Sequence, residues 1–131
     1  MSLVDTNVLA ELVRPDPDPG VTRWVREQRG LFVSVVTVEE IAYGLAWRPK
    51  PRIATVLTRL LKDHCTVLPV TQEIAARAGE LRGRLQASGH TRSQADMLIA
   101  ATALTHGYAV VTRNEEDFRG CSVEVVNPFQ R

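Results

Sequence analysis

Residues 95–112, ADMLIAATALTHGYAVVT, decide the fold. From Ala95 to Thr105 the residues are apolar on nearly every side of a helical wheel, which predicts a helix buried all round rather than a surface helix. Gly107 stops it. Tyr108–Thr112 is then a short β-branched and aromatic run of the strand type. A buried helix leading into an apolar strand is the unit from which parallel sheets are built.

The same alternation extends outward in both directions. Ser2–Val4 predicts a strand and Thr6–Val13 the helix after it. Pro15, Pro17 and Pro19 with Gly20 predict an extended turn that excludes helix. Val21, Trp24 and Val25 recur at helical spacing, Leu31–Val36 is an apolar strand, and Val38–Trp47 a helix closed by a Pro49–Lys50–Pro51 loop. Ile53, Val56, Leu57, Leu60 and Leu61 mark an amphipathic helix. Thr66–Val70 reads as a strand, Ile74 to Leu85 as a helix ended by Ser88–Gly89, and Val123–Val126 as the last strand. Strands alternating with helices predict a three-layer α/β/α fold with a central, mostly parallel sheet. With 131 residues, the expectation is a single domain over residues 1–131.

Composition narrows the class. Hydrophobic residues make up 44% of the chain, too many for a disordered one. No basic stretch followed by an apolar run opens it, and the most apolar segment, Met97–Leu104, is too short to cross a bilayer. A soluble, cytoplasmic protein without a membrane partner is expected. Cys65 and Cys121 form no CxxC pair or disulfide framework, and Cys65 is expected to be a buried free thiol. Fourteen of the sixteen basic residues are Arg. That suits a phosphate ligand, although a GC-rich genome gives the same bias, and the net charge of +1 argues neither way.

In folds of this type ligands bind beyond the carboxyl ends of the strands. Asp5 ends the first strand, Glu40 follows the second, and Asp117 follows the Tyr108–Thr112 strand, so all three map to one edge. Asp96 joins them only if the buried helix starts at that edge. A structural role competes with a chemical one for each. Thr37–Glu40, Ser93–Asp96 and Asn114–Asp117 have the spacing of capping boxes, and Asp5 has the position of an N-cap. Taken singly, capping is the better account of Glu40 and Asp117. Asp5 and Asp96 border buried elements, where a carboxylate needs partners. Acids meeting in one crevice would raise one another's pKa unless a cation intervened, and oxygen-only ligands suit Mg²⁺ or Mn²⁺.

Four blocks, Leu3-Val-Asp5-Thr-Asn7, Thr37-Val-Glu-Glu40, Asp96-Met-Leu-Ile-Ala-Ala-Thr-Ala103 and Thr112-Arg-Asn114-Glu-Glu-Asp117-Phe118, occur in the order and spacing of PIN-domain ribonucleases. Over residues 2–128 the chain resembles the VapC/FitB toxins of type II toxin–antitoxin pairs. The resemblance implies an endoribonuclease dependent on Mg²⁺ or Mn²⁺, an RNA substrate, a homodimer and a cognate antitoxin. By position it makes Asp5, Glu40 and Asp96 the core catalytic and metal-binding acids and Asp117 the fourth, more variable one. Thr6 and Thr112 resemble polar residues lining the site. Asn114 stands where many relatives carry Asp, which puts a second metal position in doubt. Glu11 has counterparts near the site, and a solvated helix residue is an equal reading of it.

Arg113 is the first candidate for a substrate phosphate contact and Arg92 the second; Arg48, Lys50 and Arg52 form a basic cluster of unassigned purpose. His90 reads as an exposed loop residue, His64 and His106 as helix ends. Trp24 and Trp47 read as core or dimer packing. Competing readings are a PIN-like DNA or flap nuclease, disfavoured by the short chain, and a non-catalytic RNA- or protein-binding module. A haloacid-dehalogenase-type phosphoaspartyl enzyme would want Asp where Asn7 stands. P-loop, HExxH and triad signatures are missing.

Overall fold

The computed structural model describes residues 1–130. Its sheet contains β1 (Ser2–Val4), β2 (Leu31–Ser34), β3 (Cys65–Leu68), β4 (Ala109–Val111) and β5 (Val125–Val126), in the order β3-β2-β1-β4-β5. Every pairing is parallel. Helices α1 (Thr6–Leu12), α2 (Pro19–Arg26), α3 (Val35–Trp47), α4 (Pro51–His64), α5 (Gln72–Ala87) and α6 (Gln94–His106) connect the strands, and a 3-10 turn spans Glu115–Phe118.

Strand pleating explains the layers. Successive side chains point to opposite faces, so Leu3 and Val110 enter one core with Ile74, Ala78 and Leu81 of α5 and Met97, Ile99 and Ala103 of α6. Val4 and Val111 enter the other, with Val8 and Leu9 of α1, Val21 of α2 and Leu57 of α4. The sheet is therefore covered on both faces, and the expected α/β/α layering holds. Helix α6 is buried as its composition requires: Met97, Ile99, Ala100, Ala101 and Ala103 are all inaccessible to solvent. Gly107 ends it in the left-handed conformation, φ 71°, where any residue with a Cβ is strained.

Several boundaries differ from expectation. Pro19 and Pro51 do not lie outside helices; each opens one, because the first helical residue has no use for its missing N–H. Strand β2 ends at Ser34, whose hydroxyl accepts from Val36 N at 3.0 Å and starts α3 at Val35. The β-branched pair Val35–Val36 is thus helical. Only Val125–Val126 of the last apolar run pairs as a strand. Cys65 is a half-buried free thiol, pushed up to about 11 by burial, and Cys121 is the fully buried one. Trp24 packs against the second core, whereas Trp47 is 67% exposed and belongs to no core.

The order β3-β2-β1-β4-β5 makes the chain build outward on one side of β1 and then return to its other side. That reversal opens a crevice at the carboxyl ends of β1 and β4. Val4 pairs with Val111, and Asp5 N donates to Val111 O at 2.9 Å, which sets Asp5 beside Thr112.

Candidate active site at the β1–β4 crevice

Asp5 is 6% exposed and caps α1, accepting from Thr6 N at 2.8 Å through Oδ1. Its Oδ2 accepts from the Thr112 hydroxyl at 2.8 Å and from Asn7 Nδ2 at 3.2 Å. The Thr112 hydroxyl, fully buried, accepts in turn from Asn7 Nδ2 at 3.1 Å and from Asn114 N at 3.0 Å. Asn7 Oδ1 accepts from Arg113 N at 3.1 Å. One hydroxyl and one amide therefore lock the carboxylate of β1 to the loop leaving β4. Asn7 was not singled out by sequence reasoning. The available signal was an Asn inside the first turn of a helix, where its propensity is poor unless its side chain has work elsewhere.

Glu40 is not the partner of a capping box. Because α3 begins at Val35, Thr37 and Glu40 lie inside it. The Thr6 hydroxyl donates to Glu40 Oε1 at 2.8 Å and lies 3.3 Å from the Thr37 hydroxyl, itself fully buried. Thr6 thus ties Glu40 of α3 to the first residue of α1, next to Asp5. The Ser93–Asp96 cap does form, Ser93 Oγ accepting from Asp96 N at 3.0 Å. Asp117 sits in the 3-10 turn, where Asn114 makes no side-chain cap, so capping does not account for Asp117 either. Arg92 reaches the same turn, donating to Asp117 O at 2.8 Å.

Electrostatics place the four acids around one space. Burial, and then the negative charges of Asp5, Asp117 and Glu40, together raise the Asp96 carboxyl to about 6 against the lowering effect of the Ser93 hydrogen bond. Helix α6 ends at His106, just before β4 enters the sheet at Ala109, so its first turn with Asp96 lies at the carboxyl edge. Asp5 is also raised, by burial first, against the hydrogen bonds from Thr112 and Thr6, with Asp117 adding repulsion. Among the described residues, no three His, Cys, Asp or Glu side chains stand close enough to hold a metal ion directly. The acids share a field without sharing a coordination sphere. Oxygen-only donors of this kind suit a hydrated Mg²⁺ or Mn²⁺, which keeps several waters and takes one or two carboxylates directly.

The remaining candidates separate. Glu11 is buried and accepts from Asp18 N at 2.8 Å and Arg14 Nη1 at 3.0 Å; it is not a solvated helix residue but part of the scaffold between α1 and α2. His90 is exposed, as expected. Arg48, Lys50 and Arg52 lie at the junction of α3 and α4.

The PIN-domain family model matches residues 2–121. A VapC ribonuclease of Sinorhizobium fredii, Y4jK, is 32% identical over 99% of both chains. The crystal structure of FitAcB from Neisseria gonorrhoeae superposes with a TM-score of 0.84 at 30% identity, covering 100% of both chains. A toxin–antitoxin complex from Klebsiella pneumoniae gives a TM-score of 0.74 at 25% identity, again over 100% of both. With the four acids brought to one edge of the expected sheet, this chain belongs to the PIN-domain family, in its VapC/FitB group.

Proposed function

We propose that the chain is a metal-dependent endoribonuclease and the toxin of a type II toxin–antitoxin pair, acting as one domain. The observation that carries the chemistry is the field at Asp96, held up to about 6 by burial and by Asp5, Asp117 and Glu40 together. A half-buried carboxylate facing three other acids is a poor arrangement for stability alone. The relatives' names supply the substrate class and the partner: VapC is a ribonuclease, and the Klebsiella structure is a toxin bound to an antitoxin.

Asp5 and Asp96 are the residues that would hold Mg²⁺ or Mn²⁺ directly; with no third acid among the described residues close enough to join them, Glu40 would bind through water rather than directly. Such an ion lowers the pKa of a bound water and offsets charge growing on the phosphate oxygens. Thr112 and Asn7 fix the direction of Asp5 Oδ2 and the Thr6 backbone N–H that of Oδ1, while the Thr6 hydroxyl fixes Glu40 Oε1. Asp117 accepts a hydrogen bond from the attacking water and so orients it. Arg113 binds a substrate phosphate, while Thr6 and Asn114 line the strand's path; Thr112, fully buried, does not reach substrate as expected and acts by holding Asp5. Attack by external water leaves 5′-phosphate and 3′-hydroxyl ends. Tyr43 and Trp47, one turn apart on α3, are 65% and 67% exposed, a surface suited to the expected homodimer or to the antitoxin. The RNA it acts on would be cytoplasmic, as it is for the toxin group it resembles. No helix among the described residues is long and apolar enough to cross a membrane.

The test is Asp5→Asn. Metal-dependent RNA cleavage should disappear while the circular dichroism spectrum is kept. A variant that still cleaves with added Mg²⁺ removes Asp5 from the mechanism.

A further inference from the structure

The chain after β5, Asn127 to Gln130, lies beyond the stretch matched by the family model. It is nevertheless held at several points. Asn127 Nδ2 donates to Glu115 Oε2 at 3.1 Å, and Asn127 Oδ1 accepts from Phe129 N at 3.0 Å. Gln130 N donates to Asp18 Oδ1 at 3.0 Å, the buried oxygen that also caps α2 by accepting from Gly20 N at 2.8 Å. Gly20 is required for this crossing: a Cβ there would stand 2.2 Å from Pro128 O and 2.6 Å from Gln130 Cγ. The tail is a strap from the carboxyl edge of the sheet to the start of α2.

Phe129 lies in the middle of that strap, half-buried against the second core. The Arg113 guanidinium lies over its ring, 4.9 Å from the centroid. The backbone of Arg113 is tied to Asn7 Oδ1, and the amide of the same Asn7 donates to Asp5 Oδ2. One arginine thus has its main chain anchored one side chain away from Asp5, and its head resting on an aromatic plate. Stacking engages the face of a guanidinium, whereas phosphate is bound by N–H groups in its plane, so both contacts are compatible. An exposed arginine otherwise loses most of its rotamer freedom when it binds a phosphate. A side chain already held in place loses less.

We infer that Phe129 is a positioning residue for RNA binding: its ring holds the Arg113 guanidinium where it meets a substrate phosphate beside Asp5. This rests on the ribonuclease reading above. The experiment is steady-state cleavage of a fluorogenic RNA by the full chain with Mg²⁺, for wild type, Phe129→Leu, Phe129→Tyr, Arg113→Ala and the Phe129→Leu/Arg113→Ala pair. Leucine keeps the apolar packing and removes the ring face, so the fold survives. Phe129→Leu should raise KM by about two- to fivefold, the range for an exposed cation–π contact, with kcat unchanged. Phe129→Tyr should restore the wild-type KM. Arg113→Ala should raise KM at least as far, and the double variant should be no worse than Arg113→Ala. A Phe129→Leu enzyme with wild-type KM, a loss in kcat alone, or additive effects in the double variant each overturn the inference while leaving the ribonuclease intact. A wild-type chain that cleaves no RNA overturns both.

Discussion

Asp96→Asn should make the metal-free protein more stable at neutral pH while removing its activity. In the unfolded chain the Asp96 carboxyl loses its proton near 3.8, in the folded one near about 6. Between those values the folded state binds more protons, so stability falls as pH rises through that window and stays reduced above it. A carboxyl moved from 3.8 to about 6 corresponds to about 3 kcal/mol. Asp96 is half-buried, so solvent screening, and the loss of a favourable charge in the first turn of α6, reduce the expected gain to about 1–2 kcal/mol. For a chain of this size that is a rise in Tm of about 4–8 °C. The assay is thermal unfolding in EDTA at about pH 7.5 and about pH 4, bracketing the window set by the two protonation midpoints. The variant should lead at the higher pH and show little advantage at the lower. Added Mg²⁺ should close the gap by stabilising the wild type alone. An equal gain at both pH values, or none at either, would refute the idea that burial, and after it the neighbouring carboxylates, disfavour the charged form of Asp96.

Two further substitutions probe the scaffold of the site. Thr112→Val keeps the shape of a fully buried side chain but removes the hydroxyl that donates to Asp5 and accepts from Asn7 and Asn114. Loss of a charge-assisted hydrogen bond should cost about 1.5–3 kcal/mol, seen as a lower urea midpoint at unchanged m. Gly20→Ala places its Cβ 2.2 Å from Pro128 O and should lift the tail. Hydrogen exchange at the Gln130 amide should accelerate, and KM for RNA should rise as it does for Phe129→Leu; slow exchange there would show that the strap accommodates the methyl group.

Periodicity was enough for the layers, because buried helices and pleated strands leave patterns that few other structures produce. The apolar wheel of Ala95–Thr105 and the stop at Gly107 transferred directly to α6. What periodicity does not encode is which of two adequate local signals wins. Val35 and Val36 look like strand, yet Ser34 supplies a cap to Val36 N and the helix begins there. That three-residue change moves Glu40 from a capping position to the second turn of α3, where it meets Thr6. Asn114–Asp117 has a capping pattern but closes as a 3-10 turn without a side-chain cap. Asn7 and the Arg113–Phe129 stack depend on contacts more than a hundred residues or a whole strand apart, which spacing cannot show. The convergence of Asp96 with the other acids was open in the sequence, since it depends on the direction in which α6 runs.

The most direct test is to sequence the ends of RNA treated with purified protein in the presence of Mg²⁺, with Asp5→Asn and EDTA controls. The account predicts defined cuts bearing 5′-phosphate and 3′-hydroxyl ends, missing from both controls. Cleavage that survives EDTA or Asp5→Asn, or ends carrying a 2′,3′-cyclic phosphate, would contradict it.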